Sequence, residues 1–129
     1  MKSIILAFDF GEVRTGVALY DGTSAEPLVT LFSEDLWPEI ASLILTHQPS
    51  QLVVGLPRNL DGEPTAQTKK AESFADSLAQ ISQLPVALQD EAMSSKRALD
   101  RISKKSTIAQ RKKIIDQISA QIILEDFIS

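Results

Sequence analysis

The stretch that decides the fold is residues 4–20, IILAFDFGEVRTGVALY. Its first five residues are apolar and run directly into a carboxylate, Asp9. A run that is apolar at every position is typical of a strand buried on both faces, at the centre of an α/β sheet. Gly11 and Gly16 allow a tight return and a close backbone approach after that strand. We therefore predict that Asp9 lies at the mouth of the most buried strand, where a carboxylate can hold a hard cation against a phosphate.

Apolar periodicity predicts five strands and four helices in the order βββαβαβαα. The strands are expected at residues 3–9, 15–20, 27–32, 51–57 and 85–89, and the helices at 35–47, 65–82, 94–102 and from 107 onward. Short turns join the first three strands into a meander, and βαβ crossovers follow. This order favours an α/β fold with a mixed five-stranded sheet and helices on both faces, in one domain spanning residues 1–129.

The two long helices are predicted to bury one stripe each. The inward residues are expected to be Ala71, Phe74, Ala75, Leu78 and Ile81 in the first, and Ile114, Ile118, Ile122 or Ile123, and Phe127 in the second. Trp37 and most of the phenylalanines also fall at core-like positions, which limits the aromatic surface expected for base stacking.

Composition excludes several classes of protein. With 43% apolar and 23% charged residues, the 129-residue chain is ordinary for a globular domain. It has no cysteine, so disulfides, thiolate metal sites and a cysteine nucleophile are ruled out. The single histidine, His47, falls at a helix end and is assigned no role. No apolar run approaches the roughly 18 residues of a membrane span and no signal-peptide pattern opens the chain, so a cytoplasmic protein is expected.

The net charge of −4 conceals a strong asymmetry. Residues 96–113 contain eight basic residues and one acid, a net +7, while the remainder carries five basic and sixteen acidic residues, a net −11. The basic residues are Lys96, Arg97, Arg101, Lys104, Lys105, Arg111, Lys112 and Lys113. Such a segment can offer a basic surface to nucleic acid, or it can be a solvated helical face, and charge alone leaves both interpretations open.

Acidic residues gather at one predicted edge of the sheet. Asp9 ends the first strand, Asp90 and Glu91 end the fifth, and Asp61 follows the fourth. Carboxyl ends of parallel strands meet at the edge where α/β sheets bind ligands. Asp116 lies among isoleucines of the last helix, where a carboxylate is costly unless it reaches a cation or a donor.

Convergent carboxylates without histidine or cysteine suit Mg²⁺ or Mn²⁺. A pair of such ions roughly 4 Å apart can activate water in phosphodiester cleavage. An acid at a strand end is, taken alone, more often a turn or capping residue, and it is the gathering of four at one edge that favours a metal site. No phosphate-binding loop or dinucleotide fingerprint occurs, and a serine hydrolase would need the badly placed His47 as its base.

Four segments together resemble the YqgF/RuvX family of Holliday-junction-resolvase-like and pre-16S rRNA nucleases. Residues 9–18, DFGEVRTGVA, are similar to its opening D-x-G-x-K-R-x-G-V-A, and residues 53–62, VVGLPRNLDG, to its V-V-G-L-P-x-N-x-D-G. Residues 90–95, DEAMSS, are similar to D-E-R-x-S-T, and residues 112–127 to the closing helix. The resemblance covers nearly the whole chain.

The resemblance implies a ribonuclease H-like fold with strand order 3-2-1-4-5 and strand two antiparallel. It implies that Asp9, Glu91 and Asp116 are the metal-binding acids of a nuclease centre, with Asp61, Asp90 and Asn59 in support. It also implies trimming of the 5′ end of 16S rRNA precursors. The residues expected to hold phosphates are Arg14, Arg58, Lys96, Arg97, Arg101, Lys112 and Lys113.

Two departures from the family pattern keep other functions open. Ala92 stands where the family usually has arginine, and Val13 where it usually has lysine, so two positive charges near the phosphate path are missing. The alternatives are a nuclease-fold protein that binds nucleic acid without turnover, a junction resolvase acting on branched DNA, and a small-molecule kinase, which would need a second domain. Residues 96–113 could also dock a protein. The chain could be a monomer or a homodimer.

Overall fold

The computed structural model of the chain describes residues 3–57, 62–91, 94–102 and 107–129, and for residues 94, 95 and 108–113 the backbone alone. All five predicted strands and four predicted helices are present. The strands are β1 Ile5–Asp9, β2 Arg14–Tyr20, β3 Ala25–Phe32, β4 Gln51–Leu56 and β5 Val86–Asp90. The helices are α1 Leu36–His47, α2 Ala66–Ser82, α3 Ser94–Arg101 and α4 Ile108–Ile128, and a 3₁₀ turn, Ser33–Asp35, precedes α1.

The five strands form one mixed sheet in the order β3-β2-β1-β4-β5. β1 runs antiparallel to β2 and parallel to β4, and β5 is parallel to β4. This confirms the predicted order and the antiparallel second strand. β1 lies at the centre of the sheet, where its first four residues are buried. The apolar run at residues 4–8 is therefore explained by two covered faces.

β3 begins two residues earlier than predicted, at Ala25, and so continues through Pro27. Its pairing with β2 shifts register between Val17 and Ala18, at the point where Pro27 pairs with Ala18. A proline lacks the N–H needed for a central ladder but is tolerated on an edge strand or at a bulge. β3 is an edge strand, which explains why it extends past the proline.

Each face of the sheet has its own core. On one face, Leu6, Phe8 and Val54 pack with Ile40 of α1 and Leu78 of α2. On the other face, the alternate residues of the same strands pack against α4, in a cluster of Ile5, Ala7, Val53, Ala120, Ile123 and Leu124. The alternation of side chains along a strand thus sends neighbouring residues of β1 to different layers.

The helix α4 is covered on two sides. Its other flank carries Ile118 and Ile122, which pack against Ala98 of α3. A helix that is apolar around most of its circumference is buried on more than one side, and this is the case for the second half of α4. Within the described residues, no helix combines the length and the apolar character needed to cross a membrane.

Two of the predicted core residues are exposed. Ile81 is 61% exposed, because it lies about 70° around α2 from the middle of the buried stripe. Ser82, which is half-buried, lies closer to that stripe. Ile114 is 38% exposed, because the buried part of α4 begins one turn later, at Ile118. The rest of the two predicted stripes faces inward.

Candidate active site

Asp9 lies on the α4 side of the sheet, at the end of its central strand. It continues the alternation of Ile5 and Ala7, both of which face α4. In the antiparallel ladder Asp9 pairs with Gly16 of β2. On its other side, the pairing of Phe8 with Val54 brings Gly55 of β4 alongside Asp9. Asp9 therefore has a glycine as its neighbour on each flanking strand.

The two glycines let acidic segments come close to Asp9. A Cβ atom on Gly16 would collide with the main-chain carbonyl of Asp116 and lie 2.8 Å from the main-chain nitrogen of Gln117. A Cβ atom on Gly55 would collide with the side chain of Ile123 and lie 3.0 Å from Cγ of Glu91. Any larger residue would displace either the α4 backbone or the Glu91 side chain. The glycines thus make room for the two segments that carry Asp116 and Glu91.

Glu91 follows β5 directly, and its main-chain N–H donates to the carbonyl of Leu56, 3.2 Å away. Its side chain is hydrogen-bonded to that of Asp9. Burial raises the pKa of Asp9 well above its ordinary value, and the charge of Glu91, the hydrogen bond to Glu91 and the charge of Asp116 raise it further. A hydrogen bond between two carboxyl groups requires a proton on one of them. The structure thus brings Asp9, Glu91 and Asp116 together.

Asp116 is held by an arginine from the sheet. Nε of Arg14 donates to Oδ2 of Asp116 at 2.9 Å, with the two side chains 38% and 23% exposed. The neighbouring Gln117 anchors α4 to the edge of the sheet through Nε2, which donates to Oγ1 of Thr30 at 3.1 Å. Arg14 supplies the cation that an acid within this apolar helix requires. The sequence predicted the need for such a partner without identifying Arg14.

The chemistry of the cluster fits a hard divalent cation. Its donors are carboxylate oxygens, which Mg²⁺ and Mn²⁺ prefer, and it brings three acidic side chains together beside Arg14. Within the described residues, however, no set of three or more acidic or histidine side chains is arranged to hold a metal ion as it stands.

Asp90, a predicted supporting acid, does not join this cluster. Asp90 is exposed and pairs in register with Leu56, whose side chain packs in the core on the α1 and α2 side, so Asp90 belongs to the opposite face of the sheet. Arg58, Asn59 and Asp61 lie outside the described residues, as does Ala92. The side chains of Lys112 and Lys113 are also outside the description.

Besides Arg14, two more of the predicted phosphate-binding arginines are engaged within the chain. Arg97 makes a bidentate pair with Asp126, with Nη1–Oδ2 at 2.9 Å and Nη2–Oδ1 at 3.2 Å. Arg101 donates to Oε1 of Glu125 at 2.7 Å and to Gln121 at 3.3 Å. Both fasten α3 to α4. Lys96, at the start of α3, is exposed.

Comparison with known proteins places this architecture in a family. The sequence model described as "RuvX: Holliday junction resolvase" matches residues 3–129. The chain belongs to the RuvX family. A RuvX relative from Dechloromonas aromatica is 40% identical over 127 residues, covering 94% of this chain and 87% of the relative. Another from Methylobacillus flagellatus is 41% identical over 133 residues, covering 98% and 90%. Both carry the name "Putative pre-16S rRNA nuclease".

Solved structures confirm the ribonuclease H-like fold expected of a RuvX protein. The chain is similar to Thermus thermophilus RuvC with a TM-score of 0.57, at 12% identity, over 97% of this chain and 95% of that one. RuvC in complex with a Holliday junction substrate gives a TM-score of 0.52, at 11% identity, over 91% of both chains. At these identities the likeness extends to the fold alone.

One departure of this RuvX chain from the family pattern can be located. Val13 is 68% exposed in the turn before β2, and its carbonyl accepts a hydrogen bond from the main-chain N–H of Ser33 at 3.0 Å. The backbone of the turn is fixed while the side chain points into solvent. A lysine here would add a surface charge next to Arg14, and valine adds none.

Proposed function

We propose that this RuvX protein is a metal-dependent nuclease that hydrolyses phosphodiester bonds. The observation that carries the proposal is the convergence of Asp9, Glu91 and Asp116 at the carboxyl edge of the central strand. Carboxylates gathered from β1, the end of β5 and α4 form the type of site that Mg²⁺ or Mn²⁺ occupies in nucleases. We also propose that the chain folds as a single domain and that the protein is cytoplasmic.

In this proposal each residue has a distinct part. Asp9, Glu91 and Asp116 hold the metal, which supplies activation of water and stabilisation of the leaving oxygen when it is bound. Arg14 orients Asp116 through their ion pair, and we propose that it also contacts a phosphate oxygen of the substrate. Lys96, Arg58, Lys112 and Lys113 would make the phosphate contacts that give salt-dependent affinity. Arg97 and Arg101 contribute less, because both are engaged with acids of α4.

For the substrate we propose RNA, with processing of the 5′ end of pre-16S rRNA as the reaction. The names of the relatives support this choice. Branched DNA is the second candidate, favoured by the description of the family. The two are separated by offering the protein a 16S precursor and a four-way DNA junction under the same conditions with Mn²⁺.

The decisive experiment replaces Asp9 with asparagine and measures cleavage of a 16S precursor with Mn²⁺ present. Loss of a metal-binding carboxylate is expected to lower the rate by about 100-fold or more, because metal ions contribute several kcal/mol to such reactions. Asp76→Asn, the same change at an exposed position of α2, is the matched control and should cleave like wild type. Undiminished cleavage by a folded Asp9→Asn protein would overturn the assignment.

A second candidate function is nucleic-acid binding without turnover. The exposed Val13, in place of the lysine usual in the family, favours it, since it leaves the turn beside Arg14 without a second positive charge. A protein that retards a 16S precursor in a gel yet cleaves neither RNA nor branched DNA with Mn²⁺ would support this function. Cleavage that depends on Asp9 would exclude it.

A further inference from the structure

The face of the sheet opposite the acid cluster carries an open groove of about 540 Å³. It lies between the first turn of α1 and the first half of α2, beside the residue that follows β1. Its volume is in the range of sites that bind small organic molecules or single nucleotides. None of the residues discussed as metal ligands or phosphate contacts lines it.

The floor of the groove is aromatic. Phe10 stacks on Phe74 with ring centroids 4.5 Å apart and planes 14° apart, and Trp37 lies 5.4 Å from Phe74 at 35°. Phe74 is buried, whereas Phe10 and Trp37 are half-buried and line the groove. Two partly exposed rings held in place by a buried third ring form a surface suited to a flat heterocycle.

The wall of the groove formed by α2 is polar. Lys69, Ser73 and Ser77 line it at intervals of four residues, so they share one face of the helix. The two hydroxyls can donate to or accept from the edge of a base, and the ammonium can contact a phosphate. Across the groove Lys70 forms an ion pair with Glu12, while in the described part of the chain Lys69 forms none. With two lysines and one glutamate among its lining residues, the groove carries a net positive charge.

We propose that this groove binds one unpaired nucleotide of the substrate strand. Its base would lie against Phe10 and Trp37, its polar edge at Ser73 and Ser77, and its phosphate at Lys69. The inference rests on the proposed nuclease function, because Phe10 directly follows Asp9 and their Cα atoms are only about 3.8 Å apart. A strand that passes the acid cluster thus reaches the groove around the same edge of the sheet. Substrates with an unpaired nucleotide beside the cleaved bond are then preferred over uniform duplex.

Trp37 provides a direct measurement, since it is the single tryptophan of the chain. Metal-free protein is titrated with a single-stranded oligoribonucleotide, with a duplex of the same sequence and with a nucleoside monophosphate, and tryptophan fluorescence is followed. The single strand is expected to change the emission and to bind at least about tenfold more tightly than the other two, because stacking and backbone contacts act together. Equal binding of the duplex would overturn the assignment to an unpaired nucleotide, and equal binding of the monophosphate would overturn the assignment to a strand.

A groove-filling variant provides the second measurement. Ser73→Phe places a ring in the groove from an exposed helix position, and Gln80→Phe makes the same addition on α2 outside the groove. Ser73→Phe is expected to weaken single-strand binding by about tenfold, the value of one stacked base, and Gln80→Phe to leave it unchanged. Lys69→Gln, a milder change, should weaken binding and reduce its salt dependence. Wild-type affinity in either Ser73→Phe or Lys69→Gln would overturn the proposal.

The two proposals fail separately. If Asp9→Asn abolishes cleavage while Ser73→Phe binds like wild type, the groove assignment falls and the nuclease stands. If no cleavage depends on Asp9 but Ser73→Phe and Lys69→Gln weaken single-strand binding, the groove assignment stands and the nuclease falls.

Discussion

The two faces of the sheet at the carboxyl end of β1 have different chemical surroundings. On the α4 side, Asp9 meets Glu91 and Asp116 in a cluster of acidic side chains, and Arg14 pairs with Asp116. On the opposite side, Phe10 meets Phe74 and Trp37 in a packed aromatic group. One residue step along the chain separates the two environments. Because successive side chains of a strand point to opposite faces, one strand end can contribute to an acidic cluster on one face and to an aromatic group on the other.

The largest expected loss of stability comes from a substitution on the aromatic face. Phe74→Ala removes a buried ring that contacts Phe8, Phe10 and Trp37, and it is expected to lower the free energy of unfolding by about 3–5 kcal/mol. Urea denaturation measures the loss, and the emission of Trp37 should shift as its neighbour disappears. Leu78→Ala, in the same core but outside the groove, should cost about 2–5 kcal/mol while leaving that emission unchanged. An unshifted spectrum in Phe74→Ala would mean that Trp37 does not depend on this ring.

The next effect lies on the acidic face. Gly16→Ala forces a Cβ atom into the backbone of α4 at Asp116, which cannot yield as a flexible side chain would. We expect a loss of about 3 kcal/mol or more in the free energy of unfolding. Gly62→Ala is the control, since its Cβ meets open space and only its φ of +84° opposes the change, at about 1–2 kcal/mol. An equal or smaller loss in Gly16→Ala would show that α4 does not lie as tightly on β2.

A third prediction concerns the dependence of stability on pH. The pKa of Asp9 is raised by burial and by its acidic neighbours, so the folded protein keeps a proton that the unfolded chain releases near pH 4. In metal-free protein this contribution to stability is fully present below that pH and is lost as the pH rises through the folded-state pKa, at about 1.4 kcal/mol for each unit between the two values.

Urea denaturation at a series of pH values with a chelator present measures this effect. Asp9→Asn should show a flatter dependence, because its amide does not titrate. The aromatic face offers the contrast, since Ser77→Ala alters the groove without a titrating group and should keep the wild-type dependence. If the free energy of unfolding of wild type and Asp9→Asn depended on pH in the same way, the raised pKa of Asp9 would be contradicted.

The smallest effect is expected from the ion pair. Arg14→Gln removes the partner of Asp116, and because both side chains are partly exposed the loss of stability should be about 0.5–1 kcal/mol. Nuclease activity should fall further than stability does, since Asp116 loses the group that orients it. Arg14→Lys keeps the positive charge but lacks the guanidinium geometry, so its nuclease activity should lie between those of wild type and Arg14→Gln. If Arg14→Gln cleaves like wild type, the pair has a structural role alone.

Much of the architecture follows from local sequence. The apolar run into Asp9 indicates a central strand, the turn signals indicate a meander, and carboxylates at strand ends indicate one shared edge. Gly55 carried a further signal, since a glycine inside an apolar strand indicates a close approach. The Arg14–Asp116 pair could not be read, because it joins residues 102 positions apart through the angle at which α4 crosses the sheet.

The aromatic group shows the same limit. Apolar periodicity places Trp37 and most of the phenylalanines in the core. Phe74 is buried, whereas Trp37 and Phe10 pack against the core but stay half-buried. Whether a ring is covered or lines a groove depends on the spacing between α1 and α2, which no local pattern contains. Phe32 is a related case: it is 55% exposed because it ends an edge strand, although its residue type favours burial.

Asp116 lies on α4, which is synthesised after all five strands have been made. Until that helix has emerged from the ribosome, Ile5, Ala7 and Val53 have no cover, and Asp9 and Glu91 lack the third acid. A nascent chain that has completed its sheet therefore holds neither the second core nor the full set of carboxylates. The proposed metal site is therefore completed in the same step that closes the fold.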